Sequence, residues 1–125
     1  MLNELAARIR FHNDKQGFTV TKENIDQKLL LAVSEVCEAQ EELRDGHTFE
    51  EVYYADMAGL PFSAKFDLIH NFPTDKKPEG FSVEIADAII RLLDICHATG
   101  INIDQVIELK LAYNQTRPLK HGRQF

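Results

Sequence analysis

A chain of 125 residues, 44% hydrophobic and 27% charged, has the composition of one soluble globular domain, residues 1–125, able to bury a core without staples. Its net charge of −6 argues against non-specific nucleic-acid binding. No apolar run approaches the roughly 20 residues of a membrane span, and the charged N-terminus lacks the apolar centre of a signal peptide. Cys37 and Cys96 both fall on apolar helix faces and read as reduced, buried thiols of a cytoplasmic protein, with a bridge only if those two helices touch.

The first segment, residues 2–11, is a short helix with Leu2, Leu5 and Ile9 at helical spacing and Ala6 beside them. The polar run from His12 to Phe18, with Gly17, reads as a loop. Thr21 or Asn24 caps a second helix that runs to about Arg44 and stops at Asp45-Gly46. Leu29, Val33, Val36, Gln40 and Leu43 share one of its faces, flanked by Leu30, Ala32 and Cys37. Glu35, Glu38 and Glu42 lie opposite, within about 60° of one another. Leu31 sits among them, a hint that the acidic face lines something other than bulk water.

Residues 46–81 form a long excursion of the kind that usually carries function or an oligomer contact. Thr48-Phe49-Glu50-Glu51 has the form of a capping box and predicts a short helix through Met57, ended by Gly59-Leu60-Pro61. Phe62 to Phe72 shows no clear period, and Phe72 to Gly80 is a loop by its two prolines and glycine. Ser82 caps a third helix to Thr99, closed by Gly100. Its apolar arc is broad (Ile85, Ala86, Ile89, Ile90, Leu92, Leu93, Cys96), which calls for burial against more than one neighbour. The polar stripe is narrow: Glu84, Asp87, Arg91, Asp94. Asp104 caps a last helix, about Gln105 to Asn114, which breaks before Pro118. The predicted fold is all-α and built on four helices.

Two acidic signatures stand out: Glu35-x-x-Glu38 and Glu84-x-x-Asp87. Spacing of i, i+3 puts both carboxylates of a pair on one helix face. Turned toward each other, two such faces supply four hard oxygen ligands suited to Mg²⁺ or Mn²⁺. Without a cation, acids so placed repel. Taken alone, the pairs fit a solvated acidic face about as well. Zinc would want His and Cys at ligand spacing. The Glu-x-x-His of di-iron bundles is missing, Asp94-x-x-His97 being the nearest approach. An oxygen-only metal site points to phosphate chemistry. From Lys110 to Phe125 there are four Lys/Arg and no acids, so the first 109 residues carry −10. Lys110, Asn114 and Arg117 follow at about one turn each, and the basic tail 116–125 continues through Lys120, His121 and Arg123. Cations so arranged suit triphosphate oxygens. Placement near a helix C-terminus is the plainer explanation of Lys110 and Arg117.

The acidic pairs followed by Lys110-Leu-Ala-Tyr113-Asn114-Gln-Thr-Arg117-Pro118-Leu-Lys120-His121-Gly122 resemble the MazG-like, all-α nucleotide pyrophosphohydrolases, in particular single-domain bacterial and phage versions. The resemblance covers most of the chain from about residue 25, excluding 46–81, a segment longer than the family usually shows. It implies a four-helix-bundle-type fold assembled as a homodimer or homotetramer, in the cytoplasm (a host's, for a phage protein). The implied activity is Mg²⁺-dependent hydrolysis of a nucleoside triphosphate between its α- and β-phosphates, giving monophosphate and pyrophosphate, with Mn²⁺ as the alternative ion. Glu35, Glu38, Glu84 and Asp87 would then bind metal, and Glu38 would also orient or deprotonate the attacking water. Lys110, Asn114 and Arg117 would hold phosphates, assisted by Lys120 and His121. His12, Asn13 and Phe18 stand where such enzymes place base contacts, Phe18 by stacking and Asn13 by hydrogen bonding. Phe18 as a core plug and Asn13 as a turn residue is the competing reading. A non-catalytic helical module that senses nucleotide or binds a partner is the alternative for the whole chain.

Overall fold

The computed structural model describes residues 1–55, 62–63 and 73–119. Four helices carry the chain: α1 (Leu2–Lys15), α2 (Ile25–Arg44), α3 (Phe81–Ala98) and α4 (Ile103–Gln115). Between α2 and α3 a two-residue antiparallel ribbon pairs β1 (Glu51–Val52) with β2 (Phe62–Ser63), Glu51 opposite Ser63 and Val52 opposite Phe62. No helix among the described residues is long and apolar enough to cross a membrane. The chain divides into two compact units, Met1–Val20 with Leu93–Phe125, and Thr21–Leu92.

In the first unit, α1 packs along α4 and their N-termini cap each other. Asp104 accepts the backbone N–H groups of Leu2 (2.8 Å) and Asn3 (3.1 Å), donors that no helix can satisfy internally. Asn3 reciprocates, its side-chain oxygen accepting the Ile103 N–H at 3.0 Å. Asp104 is therefore a cap for α1, and the cap of α4 is Asn102, whose side chain accepts from the Gln105 N–H. Helix α1 runs four residues past the expected end at residue 11. Arg10 holds that last turn through Asp14, one turn on at 3.0 Å. Asn13 holds it too, its amide donating to Asp94 Oδ2 at 2.9 Å. Ala6, Leu93 and Ile95 are the buried apolar residues here. At the end of α3, Gly100 takes a left-handed φ of +75°, and the Ile101 N–H reaches back to the Cys96 carbonyl at 2.9 Å. That pattern closes a helix and favours glycine, since no Cβ is strained.

In the second unit, Thr21 and Asn24 bond reciprocally ahead of α2: the Thr21 N–H donates to Asn24 Oδ1 at 2.8 Å, and the Asn24 N–H to Thr21 Oγ1 at 3.2 Å. The buried residues of α2 are Ala32, Glu35 and Ala39. Leu29, Leu30, Val33, Val36 and Leu43 are exposed, Leu30 to 68%. The stripe of Leu29, Leu30, Val33, Val36 and Leu43 that reads as core-facing thus lies outward, while of the acidic stripe Glu35 is buried, Glu42 half-buried and Glu38 exposed. Cys37 goes with the outer face and is an exposed free thiol, correcting the buried reading; Cys96 is half-buried and also free.

The expected helix from Thr48 does not form. The box contact itself does, the Thr48 N–H donating to Glu51 Oε1 at 3.2 Å, but the chain leaves it extended into β1. Tyr53 continues the extended path, exchanging backbone hydrogen bonds with Glu79 at 3.0 and 2.8 Å. Tyr54 donates its hydroxyl to the Pro73 carbonyl at 3.0 Å, so the chain on both sides of the excursion is tied together. Met57, where that helix was to end, lies outside the described residues. Gly80, at φ +137°, lies so close to the Glu51 carbonyl that a Cβ there would collide with backbone, which explains glycine directly before α3. Helix α3 starts at Phe81, so Ser82 lies in its first turn and is not the cap. The Phe81 ring meets Phe49 edge-on at 5.2 Å.

Candidate metal centre

Inward rotation of α2 brings Glu35 and Glu38 toward the first turn of α3, where Glu84 projects. One carboxylate oxygen from each of Glu35, Glu38 and Glu84 lies within 4.8 Å of the other two. Ala32 and Ala39 share the buried face of α2 with Glu35, while Glu38 is exposed and Glu84 half-buried. Asp87, expected as a fourth ligand, stands outside this trio, near enough for the charge on Glu35 to act on it.

Three acids so close cannot all be ionised comfortably. Burial, followed by the hydrogen bonds it shares with Glu35 and Glu38, pushes the Glu84 carboxyl up to about 8. The hydrogen bond to Glu35 also raises Glu38. Burial raises Asp87, with the Glu35 charge adding to it. Glu35 goes the other way. Burial pushes it up, but hydrogen bonds from Arg91, Glu84 and Glu38 outweigh that and hold it below its ordinary value. The Arg91 bond is direct, Nε donating to Glu35 Oε1 at 2.8 Å. The trio is therefore a coupled cluster in which Glu84 is the carboxyl pushed furthest toward its neutral form. Arg91, which belongs to neither acidic pair, is the cation that the motifs leave out. Its signal was present: it follows Asp87 by one turn on the same polar stripe, a lone cation among acids.

A second cluster fixes the far end of α2. The Tyr53 hydroxyl donates to both oxygens of Glu42, each at 2.8 Å, and the His47 ring stacks on Tyr53 at 4.6 Å. His47 Nδ1 lies 2.7 Å from Glu51 Oε2, and Nε2 lies 3.6 Å from Glu42. The Glu51 carboxylate, then the charges of Glu42 and Asp45, raise His47 above its ordinary value. Burial and the bond to Glu42 raise Tyr53. Glu42, third member of the acidic stripe, is thus engaged with the ribbon segment.

The phosphate candidates belong to the other unit. Lys110 Nζ lies 5.0 Å from the centre of the Tyr113 ring, and the Arg117 guanidinium 5.7 Å from it, so one aromatic ring carries two cations. Asn114 is half-buried beside them, and Lys120 and His121 lie outside the described residues. Of the base candidates, His12 is exposed and sits on α1, not in a loop. Asn13 also lies on α1, where its amide nitrogen donates to Asp94, so it is not a turn residue. Phe18 is 58% exposed, which removes the core-plug reading, and its carbonyl accepts from Arg10. Arg10 and Asp94 face each other at 3.0 Å as a buried ion pair, an arrangement that composition did not suggest.

Among the described residues, the three carboxylates are the only group of His, Cys, Asp and Glu that could hold a metal ion. Their donors are all carboxylate oxygen, which suits Mg²⁺ or Mn²⁺ and not a thiophilic ion. Comparisons with protein-family models, with curated proteins and with solved structures return no match, so the resemblance to MazG-like enzymes rests on the motifs alone.

Proposed function

We propose that the protein is a divalent-cation-dependent nucleoside triphosphate pyrophosphohydrolase of the MazG-like kind, cleaving between the α- and β-phosphates. The observation that carries this reading is the convergence of Glu35 and Glu38 from α2 with Glu84 from α3, three carboxylates within 4.8 Å. These are members of the very pairs that the motif singles out. A bound Mg²⁺ or Mn²⁺ would offset phosphate charge and acidify the attacking water. The chain's own residues supply the rest. Glu35, Glu38 and Glu84 hold the cation, with Asp87 completing the set. Glu38, close to Glu35 and Glu84 yet open to solvent, is placed to orient a water and take its proton. Lys110, Asn114 and Arg117, with Lys120 and His121, hold phosphate oxygens through charge-assisted hydrogen bonds.

The same reading has the chain assemble as a homodimer or homotetramer. Its support is apolar surface: Leu30, Val33 and Val36 on α2, and Ile89, Ile90 and Leu92 on α3, are all exposed. Sedimentation velocity is expected to give a dimer or tetramer, and a monomer at micromolar concentration would remove this part of the proposal.

A panel of ribo- and deoxyribonucleoside triphosphates with Mg²⁺ or Mn²⁺ tests the activity. Pyrophosphate is expected from at least one of them, without orthophosphate. Orthophosphate as the product would move cleavage to the β–γ bond. A cation effect on melting without turnover would identify a nucleotide sensor instead.

A further inference from the structure

We infer that Arg91 is a positioning residue for the proposed cation site, holding Glu35 by one carboxylate oxygen so that the other edge is presented to Glu38 and Glu84. The inference rests on the metal reading above. Arg91 lies one helical turn beyond Asp87, and its Nε donates to Glu35 Oε1 at 2.8 Å. The Glu35 side chain is 10% exposed and that of Arg91 is 38% exposed. A buried carboxylate on a flexible stem has little water to fix its direction, so a protein donor has to do so. The planar guanidinium does this better than an ammonium, because its donors point along fixed directions.

Charge alone argues for the opposite role. A guanidinium this near a cation site repels a divalent ion and competes with it for Glu35. A merely neutralising Arg91 would be one whose removal tightens cation binding. A positioning Arg91 is one whose removal weakens it, because the freed carboxylate must be ordered at the moment of binding. Partners that orient metal ligands are worth about 10–100-fold in metal affinity.

Mn²⁺ binding to the full chain, followed by the loss of the free-ion signal in electron paramagnetic resonance, separates the two. Arg91→Met, which keeps the stem and loses both charge and donor, is expected to bind Mn²⁺ about 10–100-fold more weakly than the unsubstituted protein. Arg91→Gln keeps an N–H donor without the charge and is expected to bind more tightly than Arg91→Met. Arg91→Lys keeps the charge and is expected to fall between Arg91→Met and the unsubstituted protein. Equal or tighter binding by Arg91→Met overturns the inference while leaving the metal reading intact. Should Arg91→Met not fold, the Gln and Lys variants decide: binding by both that equals or exceeds that of the unsubstituted protein overturns the inference. No Mn²⁺ binding by the unsubstituted protein overturns both the inference and the reading beneath it.

Discussion

Glu38→Gln is expected to lower the rate of pyrophosphate release by about 10²–10⁴-fold, the range that general base catalysis supplies. That corresponds to about 3–5 kcal/mol in the activation barrier. The amide matches the carboxylate in shape, and Glu38 is exposed on α2, so packing is preserved. Its removal takes one carboxyl out of a cluster in which Glu35 raises Glu38, and in which Glu35 and Glu38 add to the effect of burial in raising Glu84. The cation-free variant should consequently melt at the same temperature as the parent or slightly higher. Loss of turnover with unimpaired folding is the diagnostic pair. Steady-state pyrophosphate release and circular dichroism melting measure the two halves, and full activity in the Glu38→Gln variant would sink the assignment of Glu38.

Divalent cations are expected to stabilise the protein, and more so at pH 8 than at pH 6. With Glu84 pushed up to about 8 from an ordinary 4.5, the folded state holds more protons than the unfolded one between those values. Stability from this group is then fully present below the unfolded pKa and is lost as pH rises through the folded one. Glu38 and Asp87, also raised, act in the same direction. Glu35, which is lowered, adds stability above its unfolded value and loses it as pH falls through the folded one. Without cation, the protein should therefore grow less stable from mildly acidic pH toward pH 8. A cation takes the place of the Glu84 proton and reverses the trend. At about 100 times its Kd, Mn²⁺ adds about 2.7 kcal/mol. For a domain of this size that is a rise of about 10 °C in Tm. At pH 6 the proton competes and the rise should be markedly smaller. Differential scanning calorimetry at both pH values, with and without Mn²⁺, checks this. Glu84→Gln should flatten the pH slope and remove most of the cation effect, and a cation shift that is equal at the two pH values would contradict the account.

Helix existence was largely legible from periodicity, because α2, α3 and α4 each carry a clear 3.6-residue pattern and end at glycine, or short of proline in α4. Orientation was not. Periodicity shows that a helix has two faces and leaves open which of them turns inward. On α2 the usual rule is reversed, since its buried face holds small Ala32 and Ala39 and hydrogen bonds from Arg91 and neighbouring acids satisfy the buried Glu35. Caps were misassigned for a related reason. Asp104 and Asn102 both have capping chemistry, and only the meeting of two helix ends decides that Asp104 serves α1. At Thr48 the local signal was genuine, but Glu51 is shared with His47, and the Tyr53–Glu79 pairing draws the chain into an extended path. The two acidic pairs were visible at once, while the Arg91 contact that accompanies them depends on how α2 and α3 meet.

The reversed orientation of α2 also sorts its positions by what a substitution there would disturb. Ala32 and Ala39 are 4% and 2% exposed, so an added methylene at either has nowhere to go and is felt as overpacking within the chain. Leu30 and Val33 are more than half exposed, so a polar residue there leaves the interior of the chain untouched. A scale that ranks changes by lost hydrophobicity would order these four positions backwards. One helix thus offers two separate handles, its alanines for the packing of the chain and its exposed leucines and valines for the character of its surface.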